Sequence, residues 1–547
     1  MISPSIPYLA NSIWKFSSRK SWKNFLYACK NVRTAQTAIL ENILNVNQNT
    51  RFGSEHNFSR IRTVAEFQEQ VPVTDYQDYS QQIQRIMTGE ENVLTASAIT
   101  RFEPTSGTAS ACKYIPSTPT LRNEFQQAIG AWIYNLMSTY PELMAGRAYW
   151  FVSPPTPITK PEQSVIPIEF ASDSDYLSFV ERKLVRQLMV IPPVLSTVTD
   201  MENHAYLSLL FLFSEENLRL ISLWNPTSLL VLMDKAILWQ DALFQDLASG
   251  SITPPSPLPS VQLKQIKGIF KGKKERATLI QQAVTSRDWR AIWPNLALIS
   301  CWADAWAKNS IPELKKAFPG VAVQPKGLLA TEGIVTIPIQ STKDETPQHV
   351  LTATSHFYEF ENLANGTVHT ATELRENGEY SVIITTSGGL YRYRLNDRVL
   401  CTGYFHQAPC LKFLGKKDGI SDLYGEKISE QHLRDVVEVA FRNQSIQSSF
   451  YFVAANTQKK PSSYCLFYTT DVEHNFAKLA LDIEKGLCEN YHYQNCRSLY
   501  QLAAFQAQAL PKGADKLYYA FRAKTAISGT IKPRFLEQPN DWHSVLS

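Results

Sequence analysis

Apolar residues at Leu121, Phe125, Ala128, Ile129, Trp132, Ile133, Leu136 and Met137 recur every three or four positions, so the pattern predicts one long buried helix. Thr118 is a suitable N-cap for it and Pro119 a suitable first helical residue. Tyr380 to Thr385 is rich in β-branched residues, Ser387-Gly388-Gly389 marks a turn, and Leu390 to Arg394 alternates again, which predicts a hairpin. Beyond about Ser421 the units become shorter. Leu433, Val436, Val437, Ala440 and Phe441 form one helical stripe, and Phe476, Leu479, Ala480, Ile483 and Leu487 another. Strand patterns cover Ser448 to Ala455 and Tyr464 to Thr469. This mixture is the right size for a small α+β domain. The polar, flexible run Gly415-Lys416-Lys417-Asp418-Gly419 sets its start, giving domains of 1–416 and 417–547.

Composition changes the picture only by exclusion. A chain of 547 residues, 44% hydrophobic and 11% aromatic, can fill more than one core. A net charge of +4 argues against nucleic-acid binding as the main task. No apolar run approaches the roughly 18 residues of a membrane span; the greasiest piece, Tyr206 to Phe213, is too short. The eight cysteines show no CxxC pair, which suits reduced thiols in a cytoplasmic protein, with a monomer as the default. The ten histidines show no HExxH spacing that would hold catalytic zinc. Proline clusters at Pro154, Pro155, Pro157 and Pro161, and at Pro254, Pro255, Pro257 and Pro259, read as surface loops. The basic run from Lys264 to Arg276 reads as a solvated helix face in preference to a nucleic-acid or membrane patch.

Candidate chemistry begins at Thr105-Ser106-Gly107-Thr108-Ala109-Ser110-Ala111-Cys112-Lys113, just ahead of the long helix. Small side chains, hydroxyls, one glycine and a closing lysine suit a loop that wraps phosphates. Taken alone, such a cluster marks a plain turn more often than a nucleotide site. Ala330-Thr331-Glu332-Gly333 follows an apolar pair and precedes a strand-like run, and a carboxylate placed there can hold Mg²⁺ against phosphate oxygens; a surface ion pair is the plain alternative. Asp397 follows Tyr391-Arg392-Tyr393-Arg394, where it can accept from ribose hydroxyls or pair with Arg392 or Arg394. Gly415-Lys416-Lys417-Asp418 and the loop lysine Lys532 complete the series.

These segments in this order resemble the adenylate-forming superfamily of acyl-CoA synthetases, luciferases and peptide-synthetase adenylation domains. The phrases FEPTSGTASACKYIPST (102–118), LLATEG, SHFYEFEN (355–362) and YRYRLNDRVLCTGYFHQAPCLKFLGKKD (391–418) resemble one branch more closely: the auxin-conjugating acyl-acid amido synthetases of plants and their bacterial relatives. The likeness spans nearly the whole chain. It implies an α/β fold with a large N-terminal domain of mixed sheets flanked by helices, plus a small mobile α+β C-terminal domain. It implies a ligase that adenylates a small carboxylic acid with ATP and Mg²⁺ and passes the acyl group to an amino acid or amine. A thioester-forming synthetase and a non-catalytic nucleotide-binding member are the alternatives.

Roles carry over position by position. Thr105, Ser106, Gly107, Thr108 and Lys113 match the phosphate-binding loop, Thr331 and Glu332 the segment that contacts AMP and Mg²⁺, and Asp397 the ribose-binding aspartate. Asp418 matches the hinge and Lys532 the lysine of the adenylation step, while Phe357 and Tyr358 are candidates for lining the adenine or acyl pocket. The chain departs from the superfamily pattern at Ser110, Cys112, Leu328, Lys416 and Asp422. Aromatic residues at Trp132, Tyr134, Phe151 and Phe170 suit a hydrophobic or aryl acid, whose identity the residue order does not name.

Overall fold

The computed structural model describes the chain except residues 1–4, 106–112, 152–163, 169–186, 225, 417–418, 422–425, 427, 459–460, 472–474, 499–501, 526–532, 538–539 and 547. It divides into two compact units, Met1–Leu414 and Gly415–Ser547.

The first unit opens with α1 (Ile6–Lys30), α2 (Val32–Asn47), α3 (Arg51–Glu55), α4 (Val64–Gln70), α5 (Ser80–Met87) and α6 (Pro119–Thr139). The last is the helix the apolar spacing predicts. Thr118 caps it, its hydroxyl oxygen accepting from the Leu121 N–H at 3.1 Å. α1 packs against it closely: a Cβ on Gly130 would stand 2.8 Å from the Ser21 hydroxyl, so the contact needs a glycine. Ahead of α6, β1 (Arg101–Thr105) and β2 (Lys113–Ser117) form an antiparallel hairpin whose last register pair is Thr105 with Lys113.

Two larger sheets follow. β3 (Arg147–Trp150), β4 (Leu218–Ser222), β5 (Leu298–Cys301) and β6 (Ala322–Pro325) lie side by side in that order, all parallel. Both faces of this sheet are covered, as a parallel sheet requires. Ala148, Leu220 and Leu298 enter the cluster that contains Trp132, while Tyr149, Ile221 and Ile299 enter a second cluster to which the helix Met201–Ser214 contributes. The second sheet has the order β10-β9-β11-β12-β13-β8-β7. Its strands are β7 (Thr336–Ile339), β8 (Gln348–Leu351), β9 (Phe357–Asn362), β10 (Val368–Thr370), β11 (Glu379–Thr385), β12 (Tyr393–Phe405) and β13 (Ala408–Lys416). The predicted hairpin is β11 with β12, although the strand begins at Tyr393 and not at Leu390. The basic run from Lys264 onward lies on the helices Ser260–Ile269 and Lys274–Ser286, with Lys264, Lys267 and Lys274 exposed.

In the second unit β16 (Tyr451–Asn456) pairs antiparallel with β17 (Ser463–Thr469), and β18 (Gln506–Leu510) and β19 (Leu536–Glu537) extend that sheet in parallel; β14 (Ile420–Ser421) and β15 (Ile428–Ser429) pair separately. The two predicted stripes are the helices Glu430–Asn443 and Phe476–Leu487.

One buried arginine ties the first unit's helices to its antiparallel sheet. Arg392 holds a left-handed backbone angle, φ 47°, costly for a residue with a side chain. Its guanidinium binds both Glu359 oxygens at 3.0 Å and donates to the carbonyls of Gln68 and Val71, at 2.8 and 2.7 Å, where α4 ends. The positive charge also meets the negative end of that helix dipole. Replacing Arg392 with Met strands the Glu359 carboxylate, which is 1% exposed, and should cost about 3–5 kcal/mol in chemical denaturation. Thr118→Ala, which removes only a cap, should cost about 1 kcal/mol.

Candidate functional site

The segment Ala330-Thr331-Glu332-Gly333 is a tight two-residue turn. Leu329 and Ile334 pair antiparallel, the Ala330 N–H donates to Gly333 O at 3.0 Å and the Gly333 N–H to Ala330 O at 3.3 Å. Thr331 and Glu332 therefore occupy the tip, both half-buried. Beneath the tip sits His356, fully buried. Its Nε2 accepts from the Ile334 N–H at 3.1 Å and its Nδ1 faces a Glu124 carboxylate oxygen at 2.8 Å. A backbone amide can only donate, so the proton lies on Nδ1. Glu124 belongs to α6, and its other oxygen accepts from the Ser387 N–H at 3.3 Å.

Lys113 closes the β1–β2 hairpin, at the foot of the seven residues 106–112. Its ammonium donates to the Tyr393 hydroxyl at 3.4 Å and lies 5.7 Å from the Tyr76 ring centroid and 6.0 Å from that of Tyr393. Tyr393 is 1% exposed. Burial first, and then the negative charge of Glu332, hold its phenol well above the usual tyrosine range, so the hydroxyl keeps its hydrogen at any physiological pH. Tyr393 thus accepts from the lysine that closes the hairpin and feels the negative charge of the carboxylate on the turn. A small cleft lies beside Thr331 of the turn, bounded also by Glu103 of β1, Pro116 of β2, and Leu121 and Arg122 of α6.

Asp397 lies four residues beyond Tyr393 on the same strand and is 2% exposed. The register explains its placement. Ile383 pairs with Arg394 and Ser381 with Arg398, so one residue of β11 opposes three of β12. The surplus forms a bulge that contains Asn396, left-handed at φ 57°, and Asp397 follows it, buried in step with Tyr393, Leu395 and Val399. The arginines that offered a plain explanation for Asp397 have other partners: Arg392 pairs with Glu359, and Arg394 with Asp75 and Glu361.

The structure therefore sets Lys113 against Tyr393, places Thr331 and Glu332 together at the tip of one turn, and buries Asp397 on the strand that carries Tyr393. Phe357 and Tyr358 are buried in the core of the first unit. Phe357 packs edge-on against Phe67, and the Tyr358 hydroxyl reaches Thr352 Oγ1 and donates to Ile334 O, each at 2.6 Å, bracing the turn from below. Thr105 ends β1. Ser106, Gly107, Thr108, Asp418 and Lys532 fall outside the described residues, as do Pro154, Pro155, Pro157 and Pro161. His356 and Glu124 carry no local signal as a pair, because they stand 232 positions apart in the chain. Tyr393 is visible in the sequence only as one of several aromatics in a strand.

The turn tolerates little added bulk. A Cβ on Gly333 would lie 3.0 Å from the Cδ2 and Nε2 of His356 and 3.0 Å from Ile384 Cδ1, and the histidine is fixed from both sides. Gly333→Ala should therefore lower stability by about 1–3 kcal/mol in urea titration; a cost near zero would mean that the turn has slack.

Known proteins resemble this chain in sequence and fold. Residues 21–323 match the GH3 family N-terminal domain and residues 349–416 the GH3 family central domain. An indole-3-acetic acid-amido synthetase of Arabidopsis thaliana, GH3.2, is 23% identical over 502 residues, spanning 84% of this chain and 90% of the relative. A probable indole-3-acetic acid-amido synthetase of Oryza sativa subsp. japonica, GH3.11, is 25% identical over 513 residues, 86% of this chain and 85% of the relative. Among solved structures, the AtGH3.15 acyl acid amido synthetase in complex with 2,4-DB superposes with a TM-score of 0.84 at 18% identity, over 97% of this chain and 96% of the other. A 2-hydroxyisobutyryl-CoA ligase with its acyl-AMP superposes at 0.53 with 9% identity, over 93% and 90% of the two chains, a likeness of fold.

Proposed function

The chain belongs to the GH3 family, and from that premise we propose that it is an ATP-dependent acyl-acid amido synthetase, joining a small carboxylic acid to an amino acid or amine. The observation that carries this reading is Lys113, a cation at the foot of a hydroxyl-rich loop, donating to Tyr393, a phenol that also feels the negative charge of Glu332 on a rigid turn.

The physical problem is charge. A carboxylate must approach the α-phosphorus of ATP against like charge, form a P–O bond there and expel pyrophosphate. Loop 106–112, with Thr105, Ser106, Gly107 and Thr108, cradles the phosphates through hydroxyls and backbone N–H groups, and Lys113 neutralises one of them. The Tyr393 hydroxyl, held protonated, adds a donor. Glu332 suits Mg²⁺, which takes one or two carboxylates besides phosphate and water, and which when bound offsets phosphate charge. Thr331 contacts the AMP portion, and Asp397 accepts from the ribose hydroxyls. Lys532 serves the adenylation step, and Asp418 is the hinge about which the C-terminal unit turns before an amine attacks the acyl carbon and AMP departs. The seven described cysteines are all unbridged and six are buried, which agrees with a reducing cytoplasm.

Acid-dependent exchange of pyrophosphate into ATP tests the first half-reaction. Lys113→Ala and Glu332→Gln should each slow it roughly 10²–10³-fold. Lys532→Ala should slow adenylate formation while sparing reaction of a supplied acyl-adenylate. Mass analysis with amino acids or CoA as acceptor tests the second half: amide product is expected, and thioester alone would overturn the amido assignment. Failure of a broad acid panel to support exchange would remove the adenylation reading itself.

A further inference from the structure

The parallel sheet carries an unused row of hydrogen-bond donors. Trp150 pairs in register with Ser222, Ser222 with Ser300, and Ser300 with Gln324, so one side chain from each strand projects from the same face near the carboxyl ends. That is the edge at which open parallel sheets bind ligands. Trp132 of α6 stands over this face and donates its indole N–H to Gln324 Oε1 at 3.1 Å. An indole N–H cannot accept, which fixes the Gln324 amide with its NH₂ turned the other way. Two residues after Gln324, Lys326 extends along the row, and its ammonium donates to Ser222 Oγ at 2.9 Å. The same ammonium lies 4.7 Å from the Trp132 ring centroid and 5.3 Å from that of Trp224, so indole faces wall it in.

Three polar atoms of the row are buried without a hydrogen-bond partner among the described residues: Trp150 Nε1, Ser300 Oγ and Gln324 Nε2. Ser300 and Gln324 are wholly buried. The first and third of these atoms can only donate, and the serine hydroxyl can donate. Beside them stands a cation. Every one of these groups therefore fits an oxygen acceptor, and an anionic oxygen best. The flat indoles on either side fit a planar skeleton. Lys326 leads directly into Gly327 and the arm of the Thr331–Glu332 turn, so the row's lysine and the turn of the proposed adenylation centre lie on one short stretch of chain.

We infer that this row is the specificity element of the acid pocket, and that it receives a second oxygen function, a ring hydroxyl or further carboxylate, on a planar carboxylic acid. The inference rests on the adenylation reading for the acid's reacting end and adds what its far end must carry. A row that met the reacting carboxylate instead would weaken every acid alike on mutation, so the two cases differ in selectivity.

The test uses the whole protein with benzoate, 4-hydroxybenzoate and terephthalate as probes, read by pyrophosphate exchange and separately by calorimetric binding of each acid. The oxygen-bearing acids should be favoured over benzoate by about 10-fold or more, because benzoate leaves the donors unmatched. That ratio should collapse toward one in Lys326→Met and in Gln324→Leu. Ser300→Ala, which removes one oxygen and hardly alters packing, should lower it severalfold and guards against a misfolded larger variant. A wild-type ratio near one, or a Lys326→Met variant that keeps the wild-type ratio while weakening all three acids alike, would overturn the assignment. Exchange without selectivity would sink the row and leave adenylation standing. Selective binding with no exchange would do the reverse.

Discussion

Everything at the candidate site depends on a histidine ring that has no freedom left. His356 accepts from the Ile334 amide on one side and faces Glu124 through its protonated nitrogen on the other. Because Glu124 is on α6 and also takes the Ser387 N–H, one carboxylate and one imidazole lock a helix, a turn and the β11–β12 connection together. α6 starts two residues after β2 ends, so the hairpin that presents Lys113 and the turn that presents Glu332 are carried on one body. A phosphate site needs that stiffness, since donors and metal ligands act through fixed distances to developing charge. Close contact at Gly333 completes the device, for the turn can neither swell nor slide.

How far the sequence revealed this follows from the range of each interaction. α6 and its Thr118 cap were legible because helical spacing and capping are local. So were the β11–β12 hairpin and the helix Phe476–Leu487. The turn at Thr331 and Glu332 was legible as a carboxylate between apolar runs. The His356–Glu124 pair was not, since its members come from distant segments and neither stands out among its neighbours. Phe357 and Tyr358 read as pocket candidates because aromatics line pockets and cores alike. Only the sheet's packing puts them beneath the turn. The parallel row of Trp150, Ser222, Ser300 and Gln324 is illegible in principle, as it exists only once four strands are set in register.

Strain on β12 shows the same economy. Arg392 and Asn396 both hold left-handed backbone angles, one on each side of Tyr393. Positions of that kind cost energy and survive where surroundings over-determine them. At Arg392 the compensation is structural, through Glu359 and the end of α4. At Asn396 the strained angle lies within the bulge, directly ahead of the buried Asp397. The two kinks bracket the stretch that holds the phenol against Lys113, so what looks like irregular pairing is a strand bent to a purpose.

The donor row on the parallel sheet poses a harder energetic question. A buried donor without a partner costs about 1–3 kcal/mol, so three of them together cost about 3–9 kcal/mol. Net stabilities of folded domains lie at about 5–15 kcal/mol, which makes such a row expensive unless something meets it. Water can serve the donors in the free protein, given two or more polar neighbours, and this row supplies them. A ligand that displaces that water gains only if it reproduces the lost bonds. An acid with an oxygen at the right end does so; a purely apolar acid of equal shape expels the water and leaves the donors stranded. Local rules of burial are broken where function needs them broken. Here three of the unmatched atoms fall on one face of the parallel sheet, near its carboxyl edge and on the side away from the second hydrophobic cluster, under a helix that also carries the carboxylate fixing the turn.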